Sequence, residues 1–152
     1  MSTTEGDLNG SNNRTSVLHF VEAYGGGVAR VVEQYMSHDE FEPSLLARVR
    51  KADLDPSELN QPGERVYVAG IWDLLRHWFR LRSSSHNVVH AHSSIAGLIA
   101  RLFPHRTATL VYSPHSFAFK GHKHRLIRWL AFHVEKVLIL RTDRGAAVSS
   151  DE

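Results

Sequence analysis

The hydrophobic residues of this chain follow two alternating patterns. Short apolar runs, typical of buried strands, occur at 17–21, 45–49, 66–68, 88–92, 107–112 and 146–148. Stripes with a spacing of three or four residues, typical of amphipathic helices, occur at 28–35, 71–81, 96–102 and 125–140. Strands that alternate with helices form parallel sheets covered by helices on both faces. The pattern therefore predicts an α/β protein, a Rossmann-like three-layer α/β/α domain with a mainly parallel sheet.

Two of the predicted helices carry further information. The helix at 96–102 follows Ser93 and Ser94, either of which can cap its first turn, and its small residues predict close packing on the sheet. The helix at 125–140 is the longest. Its inward-facing positions are predicted to be Leu126, Leu130, Val134, Val137 and Leu138.

The size and composition fit one globular domain. The chain has 152 residues, of which 42% are hydrophobic and 22% charged, and it contains no cysteine. Residues 1–15 are polar and lack apolar periodicity, so they are predicted to be a disordered leader in front of a domain at 16–152. No run reaches the roughly 18 apolar residues of a membrane span, and no signal peptide is evident. These features favour a cytoplasmic location.

Charge is distributed unevenly along the chain. Residues 1–72 contain six Lys/Arg and eleven Asp/Glu, whereas residues 73–144 contain twelve Lys/Arg and three Asp/Glu. The second half is therefore expected to meet an anionic partner, and small-molecule phosphates, anionic lipid head groups and nucleic acid all qualify. No helix-turn-helix or other nucleic-acid reader is evident, which disfavours nucleic acid.

Three glycines, Gly25, Gly26 and Gly27, separate the first strand from the first helix. Glycine lets the backbone approach a ligand closely, and the helix start that follows offers N–H groups to a phosphate. The pattern is neither a G-x-G-x-x-G fingerprint nor a P-loop. Two interpretations stay open, a diphosphate site and a plain strand-to-helix turn.

Two histidines, His90 and His92, lie two residues apart on the fourth predicted strand, so their side chains share one face. A metal pair is conceivable, but a third ligand would have to come from His115 or a distant carboxylate. The favoured interpretation has one histidine as a hydrogen-bonded framework residue and the other facing a ligand cleft. We assign the cleft to His92 and Ser93 and predict no metal site.

His115 is the best candidate for a site residue among the eleven histidines. It follows the fifth predicted strand, in a loop that Pro114 stiffens. Ligands of parallel sheets bind beyond the carboxyl ends of the strands. Three polar or glycine-rich segments follow strands in this way and are predicted to converge on one site: 25–27, 90–94 and 113–116.

A basic run precedes the last helix and includes Lys120 and Lys123, with Trp129 and Phe132 shortly after it. A solvated surface is the ordinary explanation for such a run. Two other interpretations stay open: a phosphorylated acceptor held by the two lysines, and peripheral contact with the anionic inner face of a membrane.

Four segments together resemble the N-terminal domain of family-4-like glycosyltransferases of the GT-B type. Val17–Arg30 runs from a strand into a glycine loop, and Val88–Gly97 resembles the pattern V-V-H-A-H-S-S-x-A-G. Val111–Phe119 is similar to Y-T-P-H-x-F-x-F, and Ala147–Glu152 matches A-V-S-x-x-E. The order and spacing agree across 16–152. The chain departs from the pattern at His86-Asn87, where Pro-Asp is usual, and at Ser113, where Thr is usual.

The resemblance implies a role for individual residues. Gly25, Gly26 and Gly27 would approach the donor diphosphate, and His115 would be catalytic, lining the cleft near the transferred sugar. The implied enzyme is a retaining transferase without cofactor or metal, which moves a sugar from a nucleotide sugar to a sugar or lipid-linked acceptor. Such enzymes act in cell-surface polysaccharide or glycolipid biosynthesis.

In this family a C-terminal domain holds most of the nucleotide sugar, and we expect that domain to be absent here. Ser149–Glu152 fits a capping box for a helix that does not follow. The chain is therefore expected to be a fragment or a split subunit, inactive without a second domain. Two alternatives remain open: a non-catalytic binding half that needs a donor-binding partner chain, and an inactive remnant.

Overall fold

The computed structural model describes residues 14–49, 63–114 and 125–145. These residues contain six strands, four α-helices and one 3₁₀ turn. They are β1 (Thr15–Tyr24), α1 (Gly26–Met36), β2 (Phe41–Val49), β3 (Glu64–Val68), α2 (Ile71–Leu81), β4 (Val88–His92), α3 (Ser94–Leu102), β5 (Thr109–Ser113), α4 (Arg125–Leu138), the 3₁₀ turn (Ile139–Arg141) and β6 (Arg144–Gly145). The predicted strand at 146–148, the capping box at 149–152 and nearly all of the predicted leader lie outside the described residues.

The strands form one sheet in the order β3-β2-β1-β4-β5-β6, and all neighbours are parallel. The prediction of a Rossmann-like α/β fold is confirmed. The chain first builds the sheet outward from β1 to β3 and then returns to build it outward from β4 on the other side. The order therefore reverses between β1 and β4, and such a reversal is the topological switch point of a parallel sheet.

Alternate residues of the strands build two separate cores. On one face, strand residues such as Leu18, Phe20 and Val89 pack against α2 and α3. There the Phe20 ring stacks on Trp78 with 4.7 Å between centroids, and the Trp78 Nε1 donates to the Phe103 carbonyl at 3.0 Å. The second core, under α1, consists mainly of the buried residues Val21, Tyr24, Ala29, Val32, Met36, Leu45, Ala47 and Val49. Helices on both faces make three layers.

The small residues of α3 bring this helix close to the sheet, as predicted. A Cβ atom added at Gly97 would lie 2.2 Å from Cε2 of Tyr112 on β5. No larger residue fits there without movement of the Tyr112 ring. The cap is also as expected, since the Ser93 hydroxyl accepts from the Ala96 N–H at 3.4 Å.

The predicted inward face of α4 is wrong in part. Leu126 and Val137 are 74% and 66% exposed, and Val134 is 37% exposed, whereas Leu138 is buried as predicted. The side chain of Leu130 lies outside the described set. A polar contact explains the difference, because Glu135 of α4 turns inward to meet Arg101 of α3.

That contact joins α4 to the body of the domain. Arg101 Nη1 donates to Glu135 Oε2 at 2.8 Å, and the Tyr112 hydroxyl donates to Glu135 Oε1 at 3.2 Å. The Arg101 side chain is only 1% exposed and its guanidinium lies 4.1 Å from the centre of the Tyr112 ring. A buried charge requires its partner, so Glu135 fixes which face of α4 points inward.

Candidate functional site

The glycine turn lies at the carboxyl end of β1, directly beside the switch point. Gly26 has φ +54°, a left-handed conformation that favours glycine. A Cβ atom at Gly26 or Gly27 would meet no heavy atom within 4 Å. No side chain of the described residues caps α1, and its first turn has no acidic residue. Among the described residues, no side chain therefore fills the space beside Gly26 and Gly27 at the positive end of this helix, as a phosphate-binding turn requires.

A second turn lies on the other side of the switch point, at the carboxyl end of β4. Its residue Ser93 has φ +88° and ψ 155°, and is the one non-glycine residue of the described ranges with positive φ. The Ser93 N–H donates to the Ser113 carbonyl at 3.1 Å, which holds the turn against the end of β5. A conformation of this kind costs about 1–3 kcal/mol and is concentrated at functional sites.

The two turns flank a crevice because their helices leave in opposite directions. The buried residues of α1 pack on one face of the sheet, while those of α3 pack on the other. In open parallel sheets, ligands bind in the crevice that opens at this point. The predicted site residues Gly25, Gly26, Gly27 and Ser93 thus lie at one edge of two neighbouring strands.

Beneath this edge lies a cluster of three buried histidines: His19 of β1 with His90 and His92 of β4. His19 and His90 are register partners, and the cluster residues are 3%, 7% and 0% exposed in chain order. The His19 Nδ1 and His92 Nε2 atoms lie 3.1 Å apart, and His90 Nε2 lies 2.8 Å from the Ser113 hydroxyl. The ring of Tyr35 on α1 covers the cluster, with centroids 5.9 Å from His19 and 5.2 Å from His90.

Burial decides the protonation of His19. It lowers the pKa of His19 from 6.5 to about 4, so that the imidazole is neutral at neutral pH. Neutral imidazoles are good ligands for Zn²⁺ and similar ions, and one nitrogen from each histidine lies within 4.8 Å of the other two. His19 Nδ1 and His92 Nε2 also share a hydrogen bond, and His90 Nε2 shares one with the Ser113 hydroxyl. The cluster is chemically able to hold a metal ion, but these three ring nitrogens have hydrogen-bond partners without one.

Sequence reasoning missed His19. The third metal ligand was expected to be His115 or a carboxylate, because no local sequence pattern links residue 19 to residue 90. The strand order supplies the link. His19 occupies the same alternate position in β1 as His90 does in β4, so the register of neighbouring strands was the signal that could have found it.

Both histidines of β4 are buried, although one was expected to face the cleft. His92, assigned to the cleft, is the more deeply buried, and contact between its ring and a ligand stays a prediction. His115, Lys120 and Lys123 lie outside the described residues, so their roles also stay predictions.

Two arginines of the neighbouring strands β2 and β3 are already neutralised. Arg48 of β2 pairs with the buried Glu22 of β1, and Arg65 of β3 pairs with Glu33 of α1 at 2.7 Å. Partial burial opposes ionisation of Glu33, but hydrogen bonds from Arg65 and Tyr24 outweigh it and lower the pKa of this carboxyl. These arginines brace β2 and β3 against β1 and α1. They carry little net charge to offer an anionic ligand.

Fold and turns together define a Rossmann-like α/β domain whose strand order reverses between β1 and β4. No family model matches the chain, and no solved structure matches it. A protein of Klebsiella pneumoniae described as an "uncharacterized 41.2 kDa protein in cps region" is 22% identical over 139 residues. The match covers 84% of this chain and 38% of that relative, so the chain spans well under half of the relative's length. That relative lies in a capsule polysaccharide (cps) region.

No helix within residues 14–49, 63–114 and 125–145 is long and apolar enough to cross a bilayer.

Proposed function

We propose that the chain is the N-terminal, acceptor-side domain of a retaining glycosyltransferase that acts in the synthesis of a cell-surface polysaccharide or glycolipid. One observation carries the proposal. Two turns suited to ligands, Gly25–Gly27 and the strained Ser93, flank the switch point of a parallel sheet. The relative from a cps region supports the process, and the resemblance of four sequence segments supports the reaction.

In this proposal the glycine turn holds the diphosphate of a nucleotide sugar. The leaving diphosphate gains negative charge as the sugar departs, and N–H groups at the start of α1 stabilise that charge without a metal ion. A side chain at Gly27 would enter the open space in front of α1. His115 contacts the transferred sugar, and Lys120 and Lys123 hold an anionic acceptor.

A second domain completes the cleft in this proposal. It binds the nucleotide and the sugar from the opposite side, either within a longer polypeptide or as a partner chain. Arg48 and Arg65 are engaged with Glu22 and Glu33, so most of the positive charge for the diphosphate comes from that domain.

The gene is best tested in its own genome, where any further domain or partner chain is supplied. Deletion is expected to abolish or truncate a surface polysaccharide or glycolipid, measured by gel analysis and sugar composition. The gene with Gly27→Ala should restore the product, because a methyl group meets open space there. The gene with Gly27→Leu should not restore it, because the larger side chain occupies the diphosphate site.

Protein levels and thermal midpoints of the two variants provide the control, since neither substitution touches the core. A deletion strain with unchanged surface glycans would refute the proposed function. Full restoration by Gly27→Leu would refute the assignment of the glycine turn. His115→Ala should behave like Gly27→Leu if this histidine acts on the sugar.

A further inference from the structure

The outward face of α4 and the 3₁₀ turn is apolar, contrary to the usual arrangement of a surface helix. Large apolar side chains are exposed along its whole length. They are Leu126 (74%), Trp129 (58%), Phe132 (49%), Val137 (66%), Ile139 (64%) and Leu140 (86%). An apolar surface of this extent is normally covered by a partner.

The helix cannot hide this face by rolling about its axis. Its opposite side is held by the Glu135 contacts to Arg101 and Tyr112, and Leu138 is buried beside them. A roll that buried Leu126 and Val137 would leave the charge of Arg101 inside the protein without its carboxylate. The apolar face is therefore a fixed outward surface of the domain.

The charges of this segment identify the partner. Residues 125–145 contain five cations. Four of them are exposed, Arg125, Lys136, Arg141 and Arg144, and the side chain of Arg128 lies outside the described set. The two carboxylates of the same segment already have partners within the domain. Glu135 meets Arg101 and Tyr112, and the exposed Asp143 accepts from the Leu110 N–H through Oδ2 at 2.8 Å. A second copy of the chain would bring like charges together. A lipid surface with an apolar interior and anionic head groups matches both the exposed apolar side chains and the exposed cations of this segment.

We propose that α4 and the 3₁₀ turn lie flat in the interface of an anionic phospholipid membrane. The apolar side chains enter the boundary of the acyl chains, and the four cations reach the phosphates of the head groups. Trp129 is suited to that depth, because indole is enriched where apolar and polar layers meet. A helix of 14 residues is about 21 Å long, enough to lie in the interface but not to cross the bilayer. This binding does not depend on transferase activity.

The test is co-sedimentation of the purified chain with phosphatidylcholine vesicles, with and without phosphatidylglycerol, at low and at high salt. Binding is expected only with the anionic lipid, and salt should weaken it. Lys136→Gln should reduce the apparent affinity about fivefold, as the loss of one surface cation predicts. Trp129→Ser with Leu140→Ser should abolish binding.

Trp72→Ser is the matched control, because Trp72 is 77% exposed but belongs to α2. It should leave binding unchanged, and all variants should keep the thermal midpoint of the parent, since every altered side chain is exposed. Three results would overturn the proposal: no binding to anionic vesicles at low salt, equal weakening by Trp72→Ser, or a dimer by light scattering that Trp129→Ser dissociates.

Discussion

His19→Asn is expected to remove a large part of the acid sensitivity of this domain. The wild-type imidazole is buried between β1, β4 and Tyr35, and burial lowers its pKa to about 4. Asparagine cannot titrate but keeps a polar group opposite His92. The predicted quantity is therefore the change in the free energy of unfolding between two pH values, compared between wild type and variant.

The magnitude follows from the two pKa values of His19, 6.5 in the unfolded chain and about 4 in the folded domain. Above pH 6.5 the imidazole is neutral in both states and contributes no pH dependence. As the pH falls through this value the unfolded chain binds a proton that the folded domain does not, so acid favours unfolding. The penalty is about 2 kcal/mol at about pH 5 and reaches roughly 3 kcal/mol below the folded pKa.

Urea unfolding, followed by circular dichroism at about pH 7.5 and about pH 5, measures this difference. Chelator in both buffers keeps metal ions away from the three histidines, so that only protons compete. The wild-type protein should lose about 2 kcal/mol more than His19→Asn over this interval. The matched control is His77→Asn, because His77 is an exposed histidine on α2 whose Nδ1 lies 2.8 Å from the Asp73 carbonyl oxygen.

His90 and His92 remain in the variant, so the difference reports the protonation of His19 beside them. If wild type and His19→Asn lose the same free energy between the two pH values, the imidazole is not held neutral by burial. The same conclusion would follow if His77→Asn had as large an effect. Either result would remove the basis for a neutral His19 beneath the switch point.

Two further predictions concern the turns and helices around the crevice. Gly97→Ala should lower the free energy of unfolding by about 1–3 kcal/mol in urea titrations, because the added Cβ would overlap the Tyr112 ring. Combination with Tyr112→Leu should recover part of this loss. Fully additive losses in the double variant would contradict this account. Ser93→Gly should raise stability by about 1 kcal/mol through release of the positive φ, whereas Ser93→Ala should lower it by about 1 kcal/mol through loss of the helix cap. Equal thermal midpoints for the two Ser93 variants would show that φ +88° is not strained.

The alternation of strands and helices could be predicted because it depends on local periodicity. The apolar run at 88–92 coincides with β4, and the stripe at 71–81 coincides with α2. β2 extends to Phe41, four residues before the apolar run at 45–49, because pairing with β1 continues through residues 41–44, which form no continuous apolar run. The local apolar pattern therefore predicts the presence of helices and strands more accurately than the residues at which they begin and end.

The candidate site could be predicted only where it lies on one stretch of chain. The glycine turn and Ser93 follow their strands directly, so each was found from its own neighbours in sequence. The orientation of α4 depends on Arg101, 34 residues before Glu135, and the histidine cluster depends on the register of β1 with β4. Contacts of that kind arise from tertiary packing and leave no periodic trace in the sequence.

The central position of β1 also sets the order in which the sheet can assemble. β1 pairs on one side with β2, which follows it closely, and on the other side with β4, whose contact Ser16–Asn87 spans 71 residues. During synthesis one edge of this apolar strand must stay unpaired until the ribosome has released residues 88–92. Closure of so long a loop is slow. Until it closes, the exposed edge of β1 is the place where a nascent chain would aggregate or recruit a chaperone.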